Sequence, residues 1–214
     1  MSFRFYATLL IAVLCVSSLP ASAQEAAGAP AIPGQNKAGL HVYIRAGLKT
    51  HGPGQHDYPQ FLADWSKLLT LHGAVVDGSF HSPTAAELEG TDVILIFKGD
   101  AGYMTGTEKA ALEAFVKRGG GIVTIHDSLC GPDPQYFADE FVGGAKKHNE
   151  VNYTLDAPIP YTIVDKASPL MKDMTDMTIE DEAFFNFTLS HTQRPATSAY
   201  RRRRCLERCL LSSL

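Results

Sequence analysis

Short apolar runs rich in β-branched residues alternate along this chain with stretches in which apolar positions recur every three or four residues. Leu40–Ala46 (LHVYIRA) is strand-like and is followed by the glycine-broken HGPGQHD. Pro59–His72 then shows helical spacing at Phe61, Leu62, Trp65, Leu68 and Leu69, with Asp57 as a cap and Gly73 as a stop. AVVDG predicts a second strand, and Ser82-Pro83 opening SPTAAELEG predicts a short helix with serine at the N-cap and proline in its first turn. Asp92–Phe97 (DVILIF) is apolar almost throughout, as a strand covered on both faces must be. Thr107–Arg118 predicts a helix with Leu112, Phe115 and Val116 inward, Gly121–Ile125 (GIVTI) a fourth strand, and Pro134–Val142 a short helix. Beyond Gly143 the pattern thins to three strand-like runs, VNYTL, YTIVD and EAFFNF, with turns between them.

Strands that alternate with helices predict an α/β fold: a doubly wound, mostly parallel sheet with helices on both faces. Ligands in such sheets bind beyond the carboxyl ends of the strands. The polar, glycine-broken segments fall at those ends: HGPGQHD after the first strand, KGDAGYM after the third and HDSLCG after the fourth. The candidate chemistry therefore converges on one sheet edge.

HGPGQHD offers His51 and His56 as substrate clamps or metal ligands, beside Asp57, whose simplest role is the helix cap. Lys98 and Asp100 end the third strand and are candidate contacts for an anionic or hydroxyl-rich ligand. GIVTIHDSLCG resembles the sharp strand-to-helix turn that presents a catalytic group. Four residues compete there. Ser128 lacks the tight glycine bracket of a serine elbow, and Cys130 lies too far past the strand. His126 occupies the elbow position, with Asp127 beside it to orient it or share a ligand. An imidazole there suits acid–base work or metal ligation better than acyl transfer. Of the remaining carboxylates, Glu182 precedes the aromatic run FFNF and is the one expected to face the pocket; His148, Glu150, Glu180 and Asp181 read as surface. His41, His72, His81 and His191 read as structural or exposed. The candidate set is thus His126, Asp127 and Glu182 as catalytic groups, and His51, His56, Lys98 and Asp100 for substrate. A divalent metal is the one cofactor these types allow, on His51, His56 and His126.

The first 23 residues change the picture of where this chemistry occurs. Arg4, the apolar Ala7–Val16 and the small residues Ala21-Ser22-Ala23 form the three parts of a secretory signal, with cleavage after Ala23. Residues 24–37 read as a flexible leader. Export to the periplasm or medium is expected, and no membrane attachment after cleavage. The four cysteines make no disulfide framework, because Cys15 leaves with the signal, Cys130 lies in the core, and only Cys205 and Cys209 remain. The net charge of −4 conceals an acidic body, since the segment from Arg194 carries six arginines against one glutamate. An acidic body does not suit nucleic acid.

IRAGLKTHGPGQHDYPQFLADWSKLL, TDVILIFKGDAGYMT, AALEAFVKRGGGIVTIHDSLCG and DEAFFNF, in that order over about Leu40–His191, resemble the ThuA-like (trehalose utilisation) family. That resemblance implies a flavodoxin-like domain over 38–193, related to class I glutamine amidotransferases, and a polar pocket of His51, His56, His126, Asp127 and Glu182. Where the amidotransferases carry a G-x-C-x-G elbow, this chain has TIHDS, which argues against glutamine hydrolysis. The family name implies a sugar-like small-molecule ligand, either processed at a His/carboxylate pocket or held by a non-catalytic binding module. RPATSAYRRRRCLERCLLSSL breaks the pattern, because four arginines and a C-x-x-x-C cannot finish a buried sheet; 194–214 is expected to be an aberrant basic tail from a frameshift or truncation near Gln193, the alternative being a real basic tail for an acidic surface.

Overall fold

The computed structural model describes residues 39–150, 152–192 and 200–202. The signal-like segment, the leader and the tail cysteines Cys205 and Cys209 lie outside the described residues. Four parallel strands, β1 (His41–Ala46), β2 (Val75–Ser79), β3 (Val93–Phe97) and β4 (Gly121–Thr124), form one sheet in the order β2-β1-β3-β4. Alternate side chains of β1 and β3 fill two cores. Val42, Ile44 and Leu95 pack against Phe61, Leu62, Trp65 and Leu69 of α1 (Tyr58–Leu71). Tyr43, Ile94 and Ile96 pack on the opposite face against Leu112 and Phe115 of α2 (Gly106–Lys117). This is the doubly wound α/β arrangement of a flavodoxin-like fold.

Both long helices are capped at their N-termini, α1 by the expected Asp57 and α2 by Thr105, one residue before it starts at Gly106. Asp57 Oδ1 accepts the Gln60 N–H at 3.3 Å, and Thr105 with Glu108 forms a reciprocal capping box. Leu68, expected inward, is 44% exposed, because it lies on the outer flank of the α1 stripe. SPTAAELEG forms turns and no helix. There the Glu87 carboxylate takes both the Thr84 N–H and its hydroxyl, each at 2.8 Å, and a segment this short closes too few backbone bonds to repay nucleation. Pro134–Val142 divides into α3 (Pro134–Phe137) and a wider π-type turn at Ala138–Val142.

The second half is antiparallel. Asn152 onward of VNYTL and Tyr161–Ile163 of YTIVD belong to one strand, β6 (Asn152–Ile163), which pairs with β7 (Met177–Phe185) through an irregularity between Thr154 and Ala157. Pro158 and Pro160, in the stretch where a turn was expected, sit inside that strand. Alternate residues of an antiparallel strand direct their N–H groups to the same edge, so the two prolines leave the other edge intact. β6 and β7 have their own small core of Ile159, Tyr161, Ile163, Met171 and Ala183. A two-residue pair joins β5 (Gly144–Ala145), which precedes the hairpin in sequence, with β8 (Thr188–Leu189), which follows it. The arginine-rich segment contributes β9 (Tyr200–Arg202), an edge strand on β6; edge strands carry charge readily.

In the order β2-β1-β3-β4 the chain turns one way from β1 and the other way from β3. The switch point lies between the carboxyl ends of those two strands, where doubly wound folds open a crevice.

Candidate functional site

Three loops meet at this edge. Residues 47–57 follow β1 and carry His51 and His56. Lys49 laces the loop from inside, its Nζ donating to the carbonyls of Thr50 and Gly52 at 2.7 Å each and to that of Gln55. The His51 ring lies 4.1 Å from that of His56, and His56 lies 5.0 Å from that of His126. The Tyr58 hydroxyl, 3.3 Å from His56 Nδ1, fixes the second ring; burial pushes that phenol up to about 12, so it stays protonated.

His126 begins the turn after β4. The turn is held by Ser128, whose buried hydroxyl lies 2.9 Å from Ile96 O and accepts the Lys98 N–H at 3.1 Å. Ser128 is therefore a strut between turn and sheet. His126 Nε2 stands 3.1 Å from Glu182 Oε2, and its ring meets Phe184 at 4.8 Å. Its Nδ1 is buried without a hydrogen-bond partner, 4.0 Å from Asp127 Oδ2. Burial holds both His126 and His56 below the ordinary imidazole range. Burial, reinforced by the Asp127 charge, raises Glu182.

Asp127 goes the other way. Burial alone would raise its carboxyl, but the hydrogen bond and charge of Lys146 outweigh burial and hold it down. Lys146 Nζ lies 2.9 Å from Asp127 Oδ1 and 3.2 Å from the centre of the Phe184 ring, and the residue is only 6% exposed. KKHNE reads as surface, so sequence reasoning misses Lys146. The only available cue is that a buried acid at a sheet edge needs a cation.

One donor atom each from His56, His126 and Glu182 lies within 4.8 Å of the other two, the spacing of a metal-binding set. Glu182 takes the place in this set that His51 was expected to fill; His51 stands exposed at the rim. The other expected contacts go elsewhere. Asp100 Oδ1 accepts from His148 Nδ1 at 2.9 Å and, with Cys130, forms a second donor group. Lys98 lines a separate cleft on the α2 face. Cys130 is fully buried, its thiol pushed up to about 12 by burial, and its hydrogen-bond partner is the Asp127 carboxylate at 3.6 Å. A nucleophilic thiol needs the opposite environment.

Seven described residues other than glycine have left-handed φ, and four of them are His51 (61°), His56 (43°), Asp100 (57°) and His126 (56°). Strain concentrated on three converging loops is the pattern of a functional site.

The family model for ThuA, trehalose utilisation, matches residues 48–201. No curated protein matches the chain. Among solved structures, a ThuA-like protein from Bacteroides uniformis ATCC 8492 superposes with a TM-score of 0.54 at 18% identity, over 70% of this chain and 62% of that one. This chain thus spans less than two thirds of that relative's length, and the likeness is one of fold. Alpha-L-fucosidase isoenzyme 2 from Paenibacillus thiaminolyticus superposes with a TM-score of 0.45 at 16% identity, over 81% of this chain and 26% of that one, too loosely to carry an inference. With the family match covering well over half of its length, and a sheet of the amidotransferase-like type beneath the three loops, the chain belongs to the ThuA family.

Proposed function

We propose that this ThuA-family chain is an exported protein that binds a sugar-derived, hydroxyl-rich small molecule over His56, His126 and Glu182 and processes it there, with a divalent cation held by those three side chains. The observation that carries the reading is the convergence of two imidazoles and one carboxylate, drawn from three distant segments, within 4.8 Å. Two histidines and a glutamate are a donor set of catalytic zinc sites, which leave further positions open. The local chemistry fits. Ligating imidazoles must be neutral, and burial keeps His56 and His126 so. The orphaned Nδ1 of His126 is a buried polar atom still in want of a partner.

The cation would supply Lewis-acid polarisation of a substrate oxygen. The remaining work falls to the chain's own groups. Glu182, 3.1 Å from His126 Nε2, holds its proton to higher pH than an exposed glutamate and must release it to bind the cation, so metal affinity rises with pH. Asp127, fixed by Lys146, remains charged 4.0 Å from His126 Nδ1 and helps orient that ring as a ligand. His51, exposed at the rim, is placed to meet substrate hydroxyls. The sugar-derived ligand is supported by the family description alone.

The test is calorimetric titration of metal-stripped full chain with Zn²⁺ and Mn²⁺, followed by a turnover screen on disaccharides and oxidised sugars. One equivalent should bind, and His126→Ala should weaken binding by roughly a hundredfold or more, as loss of one of three ligands requires. Undiminished binding in folded His126→Ala would remove the metal centre from the reading.

A further inference from the structure

A cleft that opens to solvent lies on the α2 face of the same sheet edge. None of its lining residues belongs to the His56–His126–Glu182 centre. Its walls are apolar, from Leu88, Ile94, Ile96, Leu112 and Phe137. Its polar end is cationic. Arg45 and Lys98 come from neighbouring parallel strands whose register sets Ala46 beside Phe97. Side-chain alternation sends both to the α2 face, as it sends Tyr43, Ile94 and Ile96. Neither forms an ion pair within 4.0 Å among the described residues. Lys98 Nζ donates to the Asp100 carbonyl at 3.1 Å, Arg45 Nη1 donates to the Ala46 carbonyl, and Arg45 Nε is buried with no hydrogen-bond partner. The one carboxylate in the lining, Glu108, is engaged by its helix, where it accepts the Thr105 N–H at 2.6 Å. Two partly buried cations with no ion-paired anion, offset only by the more distant charges of Glu108 and, at Lys98, Asp100, are costly to hold, and burial depresses the proton affinity of both.

We propose that this cleft binds a small carboxylate with a short aliphatic body, the head group on Arg45 and Lys98 and the body along Ile94, Ile96, Leu112 and Phe137. A carboxylate accepts a forked pair of bonds from a guanidinium and a third from an ammonium. An apolar wall has nothing to offer sugar hydroxyls, so this ligand differs in kind from the one read at the imidazole centre.

Sodium hexanoate is the probe, titrated calorimetrically into the full chain, with hexanol and inorganic phosphate as the arms that separate body from head. Hexanoate should bind, and hexanol and phosphate should each bind at least tenfold more weakly. Lys98→Gln and Arg45→Gln should each weaken hexanoate roughly tenfold or more, the cost of a lost charge-assisted bond. Met104→Trp should block the cleft, while His126→Ala should leave hexanoate affinity as it was. Arg45 lies in β1, so Lys98→Gln carries the test should Arg45→Gln fail to fold. No hexanoate binding, equal binding of hexanol or phosphate, unchanged affinity in folded Lys98→Gln, or loss in His126→Ala would each overturn the proposal, the last by moving the ligand to the other centre.

Discussion

Lys146 Nζ reaches Asp127 Oδ1 at 2.9 Å while lying 3.2 Å above the Phe184 ring, so one buried ammonium joins the turn after β4 to strand β7. Removing it would leave a carboxylate buried without its partner. Lys146→Met should destabilise the chain by about 3 kcal/mol. Adding Asp127→Asn should restore much of that loss. Chemical denaturation of both variants checks it, and additive effects would show that the two groups act apart.

The lowered imidazoles set an acid limit. A histidine whose folded pKa lies below its unfolded value of 6.5 takes up its proton more readily when the chain unfolds. Its neutral form is fully accommodated above 6.5, and stability falls as pH drops below 6.5 toward the depressed folded value. Denaturation midpoints should therefore decline from pH 7 to pH 5, and His126→Asn should flatten that decline. Glu182 works in the opposite sense: its raised pKa penalises the folded state above its folded value, and the penalty fades as pH falls toward 4.5. Glu182→Gln should thus gain stability at pH 7.

Gly102 brings two of the site's loops together backbone to backbone. Its N–H donates to Cys130 O at 2.7 Å, and a Cβ there would stand 2.7 Å from Gly131 Cα and 2.8 Å from that same oxygen. Main chain cannot yield as a side-chain tip does. Gly102→Ala should cost about 1–3 kcal/mol and weaken metal binding as it displaces the turn. A variant of wild-type stability and affinity would show that the loops do not need this contact.

Cys130 should resist alkylation. With a thiol pushed up to about 12 and no solvent exposure, it should react with iodoacetamide at pH 8 only after denaturant is added. Rapid labelling of the native chain, detected by mass spectrometry, would contradict the buried position.

The proposed export makes a prediction of its own. Expressed with its natural N-terminus in a bacterial host, the chain should be recovered from the periplasm or medium starting at Gln24. An intact Met1 on cytoplasmic material would refute it.

Much of this site was legible from where polar residues interrupt the apolar runs. His51, His56 and His126 each follow a strand whose pattern is unmistakable, and Glu182 stands out against the aromatic run after it. What the pattern hides is side-chain direction. Lys98 and Asp100 share a loop with the site, yet Lys98 falls in step with Ile96 and turns to the α2 face, and Asp100 bonds to His148. Lys146 is hidden for another reason: hydropathy reads a buried lysine as surface, and only its partner Asp127 shows why it is inside. The short helix expected after Ser82 fails because local hydrogen bonds to Glu87 win over a single helical turn.

Glu182 and Phe184 ride on β7, whose hairpin with β6 has a small core of its own, whereas His56 and His126 lie on loops of the parallel sheet. The proposed ligand set would thus be completed across a seam between the parallel sheet and the hairpin. Such a centre is assembled only on docking, so a change that loosens the hairpin's grip would silence it with every ligand still in place.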